Sequence, residues 1–144
     1  MTMPPTQTDE DFLAAFLSAQ LAPADFDHRG HLRAAWLLLQ RFPAETAIER
    51  CCAGIAALAA RFGVAEKFHR TITEALVRLM AAGGAAALSW PEFEQANAPL
   101  FGDARALLAR HYSPALLAGS EARQRFLPPD LLPLPACTAA PMLS

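Results

Sequence analysis

Apolar side chains recur every three or four residues along most of this chain, and this spacing constrains the fold more than any other feature. The segment 44–62 is the clearest case, because it carries an apolar residue at each helical interval: Ile48, Cys52, Ile55, Ala59 and Phe62. Such a period places the apolar residues on one face of an α-helix. Strand-like alternation of apolar and polar residues does not occur in the sequence. The pattern predicts an all-α fold.

Capping residues, prolines and glycines divide these periodic segments into helices. Thr8 and Asp27 suit the N-cap position of the first two helices, and Pro43 ends the second at about Arg41. Gly63 stands where a left-handed residue ends the third helix. The predicted helices span residues 9–20, 27–41, 44–62, 65–82, 89–99 and 103–110, with a last short piece within 114–126.

Length and composition indicate one domain with a substantial core. The chain has 144 residues, of which 53% are hydrophobic and 18% are charged, and this composition rules out global disorder. Short connections favour an antiparallel helical bundle around the first four helices, with the shorter C-terminal helices packed across it. We expect residues 1–7 to be a flexible lead and residues 128–144 to be an extended tail.

The proline-rich C-terminal segment is predicted to be an extended strap. Residues 128–135 read PPDLLPLP, and prolines at this density prevent a helix. Leu131, Leu132 and Leu134 are too apolar for a solvated linker, so we expect all three to pack on the bundle.

Charge and segment composition exclude several classes of partner. The formal charge of −2 leaves no basic surface for nucleic acid. The longest apolar stretch, residues 76–88, contains Arg78 and falls short of the ~20 residues of a membrane helix. The first residues lack the pattern of a secretory signal, so we expect a cytoplasmic protein. A small molecule remains the expected partner, and the sequence leaves homo-oligomerisation open.

Three histidines form the strongest functional signal. His28 and His31 lie three residues apart at the start of the second helix, and His69 lies near the start of the fourth. Helical steps lead from His28 and His31 to Ala35 and Leu38, so both rings are predicted to point inward. Steps from His69 lead to Ile72 or Thr73, then to Leu76 and Met80, which is again an apolar face.

If these two helices are neighbours, the three imidazoles can converge on one divalent ion, either zinc or iron. Asp27, Glu49 and Glu74 are candidates for further oxygen ligands or for acceptors behind the histidines. A structural alternative is that backbone carbonyls or the hydroxyls of Thr71 and Thr73 satisfy the rings.

The remaining polar and aromatic candidates receive structural interpretations. His111 is expected to lie at a helix C-terminus outside the site. Trp36 and Trp90 are expected at the core or its edge, and Cys51 and Cys52 are expected to be small buried side chains. The cysteines show no spacing that is typical of a thiolate zinc site.

Three stretches resemble a family of small, helical bacterial proteins of uncharacterised activity: FDHRGHLRAAW (26–36), KFHRTIT (67–73) and YSPALLAGSEARQRFLPPDLLPLP (112–135). The shared pattern is FxHxxHL, (Y/F)HxTIT, AR and PDLxPLP. The resemblance implies that the motif residues belong to one site, with the histidines as metal ligands and the threonines as ligand-binding residues: His28, His31, His69, Thr71 and Thr73. Within this pattern, the chain differs from common forms of the family in having Asp27, where threonine or another residue often precedes the first motif histidine, and Phe68 in place of tyrosine.

The sequence supports two functional hypotheses. The chain is either a small metal-dependent or histidine-based enzyme for a small polar substrate, or a non-catalytic helical module that binds a ligand or a protein. In the second case the histidine cluster hydrogen-bonds the ligand or has a purely structural role.

Overall fold

A computed structural model describes residues 8–136, and within that range every regular element is helical. The predicted all-α class is therefore confirmed. Two 3₁₀ turns, Pro23–Asp25 and Ala65–Lys67, connect some of the α-helices. The α-helices are α1 Asp9–Leu17, α2 His28–Arg41, α3 Ala44–Arg61, α4 Arg70–Ala82, α5 Trp90–Ala96, α6 Ala98–Gly102, α7 Ala104–Ala109, α8 Pro114–Ala118 and α9 Ser120–Gln124.

Side-chain caps start α1 and α2 at the residues that the sequence indicates. The hydroxyl of Thr8 accepts a hydrogen bond from the Asp11 amide at 3.0 Å. The carboxylate of Asp27 accepts one from the Gly30 amide at 2.8 Å. At the end of α3, Gly63 has a φ of 78°, the left-handed conformation expected there. No helix of the described range is long and apolar enough to cross a membrane.

Two of the long helices are shorter than predicted. The first ends at Leu17 because Ala19 adopts a left-handed conformation with φ 58°, which a continuing helix does not permit. The fourth begins at Arg70 and not at residue 65, because Ala65–Lys67 forms a 3₁₀ turn and Phe68 is extended. His69 is consequently the N-cap of α4 and not a residue inside it.

Helix α3 is central to the core, because it packs against α1, α2 and α4. Helices α7 and α9 also contact α4, and α6 contacts α2. The buried side chains form one cluster that includes Phe12, Phe16, Leu38 and Leu58. The antiparallel course of the bundle stays a prediction.

A glycine lets α1 approach α3 closely. A Cβ atom on Gly54 would lie 2.4 Å from the ring of Phe16, and that ring is fully buried. Because a buried ring cannot move aside cheaply, the contact requires glycine.

We predict that Gly54→Ala lowers the free energy of unfolding by ~1–3 kcal/mol, since overpacking against Phe16 outweighs the gain in helix propensity. Gly102→Ala is the matched control, because a Cβ atom there meets nothing within 4 Å. Urea unfolding of both variants checks the prediction. Equal stabilities would show that α1 and α3 are not in close contact.

The C-terminal segment is held on the protein by hydrogen bonds of its backbone and of the Asp130 carboxylate, which accepts from the amide and the hydroxyl of Ser113. Leu134 packs against the core, whereas Leu131 and Leu132 are 54% and 50% exposed, so the expectation of three packed leucines is wrong for two of them. The Leu131 amide donates to the His111 carbonyl at 3.0 Å. The His111 Nδ1 donates to the Leu132 carbonyl, also at 3.0 Å.

His111 directly follows the C-cap of α7 and does not line the cavity, as expected, but it is buried and its ring also holds the C-terminal segment. The predicted lead, residues 1–7, and the end of the tail, residues 137–144, lie outside the described residues.

Candidate functional site

A cavity of about 380 Å³ lies between α2, α3 and α4. Its walls are mostly apolar, and its polar groups come from the first turns of α2 and α4 and from the turn before α4. The lining residues are His28, His31, Leu32, Ala35, Cys51, Ile55, Lys67, Phe68, His69, Ile72, Thr73, Leu76, Val77 and Met80. The structure thus brings the three motif histidines and Thr73 to one cavity.

The cavity has a polar rim and an apolar floor. Lys67 and His28 are exposed and lie at the rim, whereas Cys51, Val77 and Met80 are buried and form the floor. The apolar face of α4 that the sequence predicts lines the cavity with each of its members: His69, Ile72, Thr73, Leu76 and Met80. None of the lining side chains is acidic.

The ring of His31 is held in one orientation at the start of α2. Its Nδ1 lies 2.7 Å from the backbone carbonyl of Asp27, one helical turn earlier. Because a carbonyl can only accept, Nδ1 carries the proton. The ring also stacks on Phe26, with the centroids 4.1 Å apart. Burial lowers the pKa of His31 below its usual value of 6.5, so the ring is neutral at pH 7.

This tautomer leaves Nε2 of His31 as a hydrogen-bond acceptor. Within residues 8–136, no protein group bonds to this atom. Every fully buried side-chain nitrogen or oxygen in the same range has a hydrogen-bond partner. Since Nε2 has none, it must be accessible to a ligand or to water.

His69 is closed by contrast, because both of its ring nitrogens are occupied. Its Nδ1 accepts a hydrogen bond from the Ile72 amide at 3.2 Å and thereby caps α4. Its Nε2 donates to the carbonyl of Leu117 at 2.8 Å. His69 therefore fits the structural alternative, in which backbone groups satisfy both nitrogens of the ring.

Among the described residues, His28, like His31, is bonded through one ring nitrogen only. Its Nε2 donates to the carbonyl of Leu100, in α6, at 2.8 Å. The side chain lies at the exposed rim of the cavity. The three histidines thus differ in chemistry although they line the same cavity.

The carboxylates proposed as oxygen ligands are engaged elsewhere. Asp27 caps α2 with its carboxylate, although its backbone carbonyl does orient His31. Glu74 is buried between Arg70 and Arg78, at 2.7 Å from each. Glu49 pairs with Arg70 at 2.9 Å.

Over the described part of the chain, no three His, Cys, Asp or Glu side chains are grouped so that they could hold a metal ion. A lone pair is what a metal needs from an imidazole, and His69 has none free. Zinc or iron at these histidines therefore stays a prediction of the sequence alone.

The two motif threonines have different surroundings. Thr73 lines the cavity, and its hydroxyl has no protein partner among residues 8–136. The hydroxyl of Thr71 is buried; it donates to the Arg125 carbonyl at 2.9 Å and accepts from the Leu127 amide at 3.1 Å. Thr71 therefore joins α4 to residues 125–127, just before the C-terminal segment, and does not line the cavity.

Three contributors to the site were not identified from the sequence. Lys67 reaches the rim, Cys51 reaches the floor, and Phe26 supports the ring of His31. Phe26 and Lys67 do fall within the family-like stretches. Cys51 gave no signal beyond burial, and burial strongly raises the pKa of its thiol, so it is an inert wall group.

We predict that two isosteric substitutions on α4 change the free energy of unfolding by different amounts. Thr71→Val should lower the free energy of unfolding by ~1–3 kcal/mol, because it leaves the Arg125 carbonyl and the Leu127 amide without their partner. Thr73→Val should change it by less than about 0.5 kcal/mol, since its hydroxyl bonds to no described protein group. Denaturant unfolding of the two variants measures the contrast, and a reversed order would refute these assignments.

Comparisons of this chain with protein-family models, with curated proteins and with solved structures find no match. The site is therefore interpreted from its own residues.

Proposed function

We propose that this protein binds a small, largely apolar molecule in the cavity between α2, α3 and α4. The single observation that carries the proposal is that His31, whose Nε2 is unpaired and accessible, lines a cavity with an apolar floor. Ligand sites typically combine such walls with a few polar groups that fix orientation.

The size of the cavity supports this function. Its volume of about 380 Å³ lies at the lower end of the range of small-molecule sites, ~300–1,000 Å³. The floor consists of aliphatic and sulfur-containing side chains, such as Val77 and Met80. Transfer of an apolar ligand body from water to this surface is favourable by ~25 cal/mol per Å² buried.

Histidine-based catalysis is the second candidate, and the state of His31 favours it. A neutral imidazole with its Nδ1–H held by a carbonyl presents Nε2 as a base. Catalysis is favoured over simple binding if a bound compound is chemically changed. The proton spectrum of the ligand reveals such a change during a binding titration.

We predict that n-octanol binds in this cavity. Titration followed by amide NMR spectra should move the resonances of His31, Thr73 and Leu76 more than those of α7. Leu76→Phe should abolish the binding, because Leu76 is half-buried on the wall and the larger ring occupies the empty space.

Leu107→Phe is the matched control, since Leu107 is also half-buried but lines a separate groove. It should bind octanol as the native protein does. Shifts spread evenly over the protein, or unchanged binding by a folded Leu76→Phe variant, would contradict the proposed site.

A further inference from the structure

We propose that the molecule in the cavity carries a hydroxyl group, and that this group donates a hydrogen bond to Nε2 of His31. The inference rests on the proposed function and specifies the class of ligand, namely an alcohol or phenol with an apolar body. This class of ligand is inferred from which groups of the cavity donate hydrogen bonds and which accept them.

His31 can only accept on its free side. The bond from its Nδ1 to the Asp27 carbonyl and the stacking on Phe26 fix both the tautomer and the position of the ring. A ligand that fills the cavity displaces the water from Nε2. If that ligand has no donor, the acceptor loses its partner next to apolar walls, at a cost that lowers affinity.

A site of this kind discriminates between ligands with and without a hydrogen-bond donor, and a hydroxyl supplies that donor on an otherwise apolar body. An apolar pocket distinguishes an added or missing methylene only weakly, but a pocket with a polar group that needs a partner rejects ligands that leave it unpaired. The accessible hydroxyl of Thr73 does not require a donor from the ligand, because a hydroxyl can both donate and accept. The Nδ1 of His28 also has no partner among the described residues, but this ring is exposed at the rim, where water can pair with it. The half-buried His31 therefore decides the class of ligand.

Lys67 favours a different class, a carboxylate, and must be weighed against His31. Its ammonium group is exposed at the rim, where pairing with an anion contributes only ~0.2–1 kcal/mol. The lone pair of neutral His31 repels carboxylate oxygens. The half-buried, oriented imidazole thus favours a hydroxyl over a carboxylate at the inner polar position.

A pair of isomers tests this inference. n-Octanol and heptyl methyl ether have the same atoms and nearly the same shape, but the ether has no O–H group. We expect the native protein to bind octanol about fivefold to tenfold more tightly than the ether, which corresponds to one hydrogen bond. Octanoate, which has no donor at neutral pH, should show no advantage over octanol.

Two substitutions at His31 separate hydrogen bonding from packing. In His31→Asn the side-chain amide can still donate to the Asp27 carbonyl, but no acceptor remains at the ε position. In His31→Gln the side-chain carbonyl can take the place of Nε2. Both variants lose the stacking on Phe26, so they are matched in that respect. The preference for octanol should disappear in His31→Asn and be partly kept in His31→Gln.

The outcomes distinguish the two proposals. If neither isomer binds to the native protein, the proposed function is wrong. If both isomers bind equally, or if octanoate binds most tightly, the cavity binds ligands but the hydroxyl inference is overturned. A preference that survives unchanged in His31→Asn would also overturn it.

Discussion

The capping of α4 by His69 is the interaction on which the rest of the site depends. The ring accepts from the Ile72 amide and donates to the Leu117 carbonyl, so it starts the helix and ties it to α8. Because the bond from the Ile72 amide makes His69 the N-cap, the turn before His69 lies outside α4. Lys67 lies in that turn, at the cavity rim. Thr73, one turn along α4, then faces the cavity while Thr71 faces residues 125–127.

Local spacing predicts the helices and the inward face of each motif histidine. The shared location of the histidines also required α2 and α4 to be neighbours, which the structure shows. Asp27 and Gly63 act as caps where expected, and the apolar face that begins at His69 lines the cavity. The sequence does not reveal that His69 is closed while, within the described range, His28 and His31 each keep one free ring nitrogen. That difference depends on a carbonyl from a distant part of the chain, that of Leu117, which occupies the second nitrogen of His69.

The C-terminal segment illustrates the same limit. Its leucines suggested hydrophobic docking, but half of the surface of Leu131 and of Leu132 remains exposed. Hydrogen bonds from His111 and Ser113 hold the segment instead, and Tyr112 and Thr71 hold Leu127 just before it. Long-range bonds to backbone atoms have no signature in side-chain pattern, so the sequence could not have predicted these contacts.

Nitrogen NMR of the imidazole rings tests the central claim, that His31 is open and His69 is closed, most directly. The account predicts that His31 is neutral at pH 7, with Nδ1 protonated and Nε2 bare, and that it titrates below its usual pKa of 6.5. Octanol should then shift the Nε2 resonance of His31 and leave both nitrogens of His69 unchanged. A charged His31 at pH 7, a proton on its Nε2, or a response at His69 would contradict the account.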